Sequence, residues 1–215
     1  MAYSLPEGSS QQFSNTLAAA KTITAITNAN PAVATCTGHG YTTGDEIMLS
    51  SGWEDATDSV YKIESVDSNS FKILGLDSTN TSFFPAGSGG GSAQKLSAWT
   101  AIPQVLTISA SGGDARFTDV NPLAKRNGIR IPTGFNATSV TLSLGFDATT
   151  PAYKTMVGIS RSLSKVAFKQ VLSGGSVQYG WGYLNVSEFP KLNNNQVNTV
   201  DAALTFLGRT MSYDA

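Results

Sequence analysis

Apolar and polar positions alternate along much of the chain. In SVTLSLGF, Val140, Leu142, Leu144 and Phe146 interleave with Thr141, Ser143 and Gly145, which gives a strand one apolar and one small polar face. TVDAALTF repeats the pattern, with Val200, Ala202, Leu204 and Phe206 on one side and Thr199, Asp201, Ala203 and Thr205 on the other. VAFKQVL and VQYGWGYL flank SGGS at 173–176, a Gly-rich spacing that predicts a hairpin. The period changes in TTPAYKTMVGISRSL. There Thr149 or Thr150 can cap, Pro151 suits a first turn, and Tyr153, Met156 and Val157 form one stripe, as in an amphipathic helix. The predicted fold is mainly β: a β-sandwich with one flanking α-helix.

The first half carries shorter strand patterns, TITAIT, AVATCT, DEIML, VYKIESV and SFKIL, separated by turn-forming NANP at 28–31, GHGYTTGD at 38–45 and DSNS at 67–70. Together they predict a small all-β module. AGSGGGSAQ at 86–94 has linker composition, and FSNTLAAA before the module is a further strand candidate. The expected organisation is one domain formed by residues 1–21 and 93–215, with residues 22–92 inserted and attached by the Gly/Ser-rich joint. Two tandem domains are the alternative, and the pairing of FSNTLAAA decides between them.

Fourteen Lys and Arg against fifteen Asp and Glu leave a formal net charge of −1 over 215 residues, so no basic excess exists to neutralise phosphates. Charged residues are 13% of the chain, well under the roughly 25% common in soluble domains, as when surface is hidden in an assembly. The single Cys36 excludes an intrachain disulfide and reads as a small buried hydrophobe. His39, the only histidine, lies in a Gly-His-Gly turn, where no packed surround is expected to orient it for catalysis. The acid pairs Asp45–Glu46 and Glu54–Asp55 read as solvated turns, and no nucleophile, zinc or phosphate-loop motif occurs. No metal or cofactor is called for, and no apolar run reaches membrane-spanning length. Tyr179, Trp181 and Tyr183 align on one face with Gly180 and Gly182 between them. Such a row could serve as a sugar platform, but core packing is the commoner use, and the bare glycine face would admit another backbone or a neighbouring subunit.

The succession WTAIPQV, SVTLSLGFD leading into a helix, VAFKQVLSGGSVQYGWGYL and a closing strand ending LGR resembles the major tail tube proteins of long-tailed bacteriophages, over residues 99–210 and more loosely 3–20. The segments ITNANPAVATCTGHGYTTGDEIML and VYKIESVDSNSFKILG are similar to a small β-module recurrent in phage tail proteins. The resemblance implies a non-enzymatic virion protein, made in the host cytoplasm, whose hexameric rings stack into a tube. The tape-measure protein and double-stranded DNA would pass through the lumen without tight binding, and other tail proteins would meet the tube ends. It implies a ring-stacking role for the long loop SASGGDARFTDVNPLAKRNGIR, with Asp114, Arg116, Asp119, Lys125, Arg126 and Arg130 as candidate partners. Thr141, Ser143, Gln178, Thr199 and Asp201 are expected on a nearly neutral lumen wall, within a non-core surface that also includes Lys169, Gly180 and Thr205. The rival functions are a carbohydrate-binding β-sandwich, a tail-terminator or baseplate-hub relative and, more remotely, a hydrolase using His39.

Overall fold

A computed structural model describes residues 7–124 and 126–215. After β1 (Ser10–Ser14), the chain enters seven short strands: β2 (Lys21–Ile23), β3 (Ala25–Ile26), β4 (Ala32–Thr35), β5 (Glu46–Ser51), β6 (Ser59–Ser65), β7 (Ser70–Ile73) and β8 (Gly91–Lys95). These seven make one sheet in the order β2-β8-β5-β6-β7-β4-β3. Its core is built from the apolar positions of the alternating runs, among them Ile47, Leu49, Tyr61, Ile63, Phe71 and Ile73, with Trp53 and Cys36 buried beside them.

The remaining strands are β9 (Thr100–Ala101), β10 (Val105–Ser111), β11 (Ala115–Val120), β12 (Ile129–Phe135), β13 (Ser139–Gly145), β14 (Lys165–Val171), β15 (Val177–Val186), β16 (Thr199–Phe206) and β17 (Met211–Tyr213). One sheet, here called the wall, runs β10-β13-β16-β15-β14-β1-β9, with β17 also paired to β15. β1 pairs antiparallel with β14, Phe13 facing Phe168 in the register, so the segment ahead of the seven-stranded module belongs to the wall sheet. The SGGS turn does close the β14–β15 hairpin, with Gly175 at φ 89°.

The wall curls over its own core. Phe13 and Ile102, from one end of the strand order, join Val140, Leu142 and Leu144 from the other in a single buried cluster. A right-handed twist of roughly 20–25° per strand accumulates across such a sheet and favours this closure. The helix α1 (Pro151–Ser162) seals the cluster with Ala152, Met156 and Ile159, while Tyr153 and Val157 pack against it less deeply. Pro151 starts the helix and Thr150 occupies the N-cap position, but no cap bond comes from its side chain. The neighbouring turn is held by the Asp147 carboxylate, which accepts from the Thr149 N–H and hydroxyl.

The Gly/Ser stretch expected as a joint is a built part of the module sheet. β8 pairs with both β2 and β5, so residues 93–95 share the module sheet rather than starting the wall. Two of its glycines are required by close packing: a Cβ on Gly89 would stand 2.9 Å from the Trp53 ring, and one on Gly91 would stand 2.0 Å from the Ser50 carbonyl oxygen. Linker composition and a tightly packed glycine strand look alike in sequence because both select residues without side chains.

Candidate assembly surfaces

Three regions bear on function: an extended arm, a polar half of the wall's outer face, and the contact between module and wall. The arm replaces the long loop expected from Ser109 onward. β10 continues to Ser111, and among the described residues β11 and β12 then pair only with each other. A register shift falls between Arg116 and Phe117, and Gly134 opposite Arg116 has φ 143°. Most of the arm is exposed, including apolar Phe117, Val120, Leu123, Ile129, Ile131 and Phe135. The register puts Val120, Ile129 and Ile131 on one side, while Asp119 and Arg130 sit opposite each other on the other.

The stacking candidates therefore divide. Asp119 and Arg130 form an ion pair at 3.1 Å within the arm, with the Arg130 guanidinium over the Phe117 ring at 5.0 Å. Asp114 holds the base of the arm, its carbonyl accepting from the Asn136 N–H at 2.9 Å. Arg116 lies against Gly134, and Arg126 is exposed near the tip. Lys125 lies outside the described residues. The charges and glycines around the apolar arm residues mask a recoverable signal, the alternation of Ile129 and Ile131 with Arg130 in IRIP.

On the wall's outer face the register brings together Thr141, Ser143, Asp201 and Thr205, because Ser143 pairs with Asp201 and Thr141 with Ala203. Thr199 shares this face through its pairing with Gly145, and β10 adds Thr107 and Ser109 opposite Ser143 and Thr141. Gln178 does not belong to the group. It pairs with Gln170 and has the parity of Gly182 and Leu184, so it lies on the core side of the sheet, at a cleft with Ala110, Val140 and Phe168. Counting along β15 alone could not reveal this, because the shared face depends on inter-strand register. Asp201 is ion-paired with Lys191.

The other half of this outer face is covered by the module. Met48, Val60 and Leu96 pack against Ala167, Val177, Tyr179 and Trp181. Tyr179 and Trp181 are thus core residues, unavailable as a sugar platform, while Tyr183 is exposed. Gly180 and Gly182 admit the chain itself: Cβ atoms there would come within 2.5 Å of the Phe206 ring and 1.9 Å of the Thr205 carbonyl oxygen. That space is filled from within, so no neighbouring subunit enters it.

Of the acids expected in solvent, Glu54 is exposed, whereas Asp45, Glu46 and Asp55 face cations. Asp45 pairs with Lys95 at 2.7 Å inside the module. Glu46 accepts from the Lys169 ammonium at 2.7 Å, and from the Tyr179 hydroxyl and Trp99 indole N–H, all three from the wall side of the contact. Its side chain is only 12% exposed, and that of Lys169 18%. Lys169 is therefore part of this contact and does not lie on the free polar surface. Burial, reinforced by the Glu46 carboxylate, raises the Tyr179 phenol well above its ordinary pKa. Asp55 meets Arg209 at 2.7 Å and Asp58 meets Lys165 at 3.3 Å. His39 departs from expectation too. It is buried between the rings of Tyr41 and Phe71, with Nδ1 accepting from the Tyr41 N–H and Nε2 against the Asp67 carbonyl oxygen at 2.8 Å. Among the described residues, no cluster of three or more potential metal ligands occurs, and no helix is long and apolar enough to cross a membrane.

A mainly β subunit with an apolar arm outside its own core has the build of a structural protein made for assembly. Residues 51–215 match the family model of the phage tail tube protein, TTP, and the chain belongs to that family. Its role is structural, as a tail tube component of the virion. The chain is also similar to the solved SPP1 tail tube, at 13% identity and TM-score 0.43 over 55% of this chain and 69% of that one. A second similar structure is the anti-feeding prophage tube-terminating cap, at 17% identity and TM-score 0.35 over 54% of this chain and 83% of that one. No curated protein matches the sequence.

Proposed function

We propose that the chain forms hexameric rings that stack into the tail tube, without enzymatic activity, and that the arm joins one ring to the next. The arm is the observation that carries this reading. An isolated two-stranded hairpin is marginal in water, and exposed apolar residues on an unsupported element mark an interaction surface. A neighbouring subunit of the same chain would cover Val120, Ile129 and Ile131, while Arg126 and the Asp119–Arg130 pair would set register at the rim. The unpaired edge of β10 carries no charged residue or proline, so another subunit could protect it in a closed ring.

The polar half of the outer wall face is the proposed lumen surface, with Thr141, Ser143, Thr199 and Asp201 along the path of the tape-measure protein and DNA. Its hydroxyls and its neutralised Asp201 suit passage without tight phosphate binding. Because the sheet curls, the half covered by the module looks away from this polar half, which supports an outward position for the module. The pairing of β1 with β14 supports its reading as an insertion between β1 and β9. Electron microscopy of the purified protein, alone and with tail initiation complexes, tests the assembly. Six-fold rings or tubes are expected; a protein that stays monomeric at high concentration and is absent from tail particles overturns the proposal.

A further inference from the structure

We propose that β17 is a clasp that locks the module to the wall, making the two one cooperative unit in which the module cannot tilt. β17 pairs with β15 through Tyr213 opposite Val177 and Met211 opposite Tyr179, yet its side chains reach into the module. The Tyr213 hydroxyl donates to the Leu74 carbonyl oxygen at 2.9 Å and accepts from the Lys62 N–H at 3.0 Å. The Lys62 ammonium lies 5.3 Å from the centre of the Tyr213 ring, and Met211 packs against the module core. A Cβ on Gly75 would stand 2.9 Å from the Met211 terminal methyl and 3.6 Å from the Tyr213 ring, so both clasp side chains lie close against the module backbone at this turn.

Three further features make the contact an interior joint. The acids Glu46, Asp55 and Asp58 all come from the module, and their cations Lys169, Arg209 and Lys165 all come from outside it. Their separation along the contact opposes rotation about any one of them. The buried Glu46 has three donors for its oxygens, so parting the surfaces would leave a charge unpaired, which is more costly than losing an exposed pair. Apolar packing between Met48, Val60 and Trp181 accompanies these pairs. The glycine segment cannot act as a hinge, because β8 is hydrogen-bonded on both edges.

The proposal concerns a single subunit and does not depend on ring formation. Hydrogen exchange measured on the full chain and on a variant lacking residues 211–215 tests it. The intact chain should show β5 and β6 amides exchanging in step with those of β13 and β16. Truncation should uncouple them, speeding β5 and β6 by about tenfold or more, the equivalent of losing one or two net hydrogen bonds, while β13 and β16 stay protected. Unchanged β5 and β6 protection overturns the clasp. If the truncated chain does not fold, Tyr213→Phe is the deciding variant: about fivefold faster exchange across β5 is expected for loss of one hydroxyl's bonds, and wild-type rates there reject the proposal.

Discussion

Asp45 shows how a partly buried charge is kept ionised. Burial pushes its carboxyl pKa up, but the Lys95 ammonium at 2.7 Å and the Thr42 N–H at 2.9 Å outweigh that push and hold it below its ordinary value. A carboxyl lowered in the folded state binds its proton less readily there than in the unfolded chain. Its stabilisation is therefore complete above the unfolded value, near pH 4, and is lost as pH falls through the folded one. Asp45→Asn should cost about 1–2 kcal/mol at pH 7 and flatten the fall in melting temperature between about pH 5 and pH 3. Thermal denaturation across that range checks both, and an undiminished acid slope would assign the sensitivity to other groups, such as Asp67 and Asp147, whose pKa values are also lowered.

The arm is the element least explained by the subunit's own packing. Among the described residues β11 and β12 hydrogen-bond to no other strand, and the exposed side with Val120, Ile129 and Ile131 contributes little to folding and is free to serve a contact. Ile129→Asp combined with Ile131→Asp should leave subunit stability within about 0.5 kcal/mol, as for exposed substitutions elsewhere, while abolishing tube growth. Sedimentation and electron microscopy distinguish the outcomes: a folded, non-polymerising protein is expected, and tubes of ordinary length would remove the arm from the stacking interface. By contrast α1 is anchored by Met156 and Ile159 in the wall core, and similar changes there should unfold the subunit.

Across the molecule, the wall sheet separates three environments: a sealed core, a face occupied by the module, and a face of hydroxyls. If the last lines the conduit, a change in its charge is repeated in every subunit along the tube. Thr141→Lys with Ser143→Lys should permit assembly, since both side chains stand outside the core, yet slow DNA ejection. The slowing should be several-fold greater at about 10 mM salt than at about 150 mM, where phosphate attraction is screened over a shorter range. Ejection kinetics equal to those of the parent virion at both salt concentrations would put this face away from the DNA.

The alternating runs at 140–146 and 200–206, the period change at Pro151 and the SGGS turn were enough to determine strands, helix and hairpin. Each depends on contacts between near neighbours and on which side of one element is apolar. Register, curl and inter-element charge pairing required the tertiary structure. Gln178 reads as a companion of Thr141 until the β13–β16 and β15–β16 pairings assign it to the opposite face; Glu46 reads as a turn acid until Lys169, more than a hundred positions later, lies against it. Gly89 and Gly91 read as part of a flexible joint until Trp53 and Ser50 are found pressed against their backbone. Local periodicity reports how an element divides polar from apolar, whereas the partner of each face is set by contacts between residues far apart in the chain, and a single sequence carries no direct signal of those.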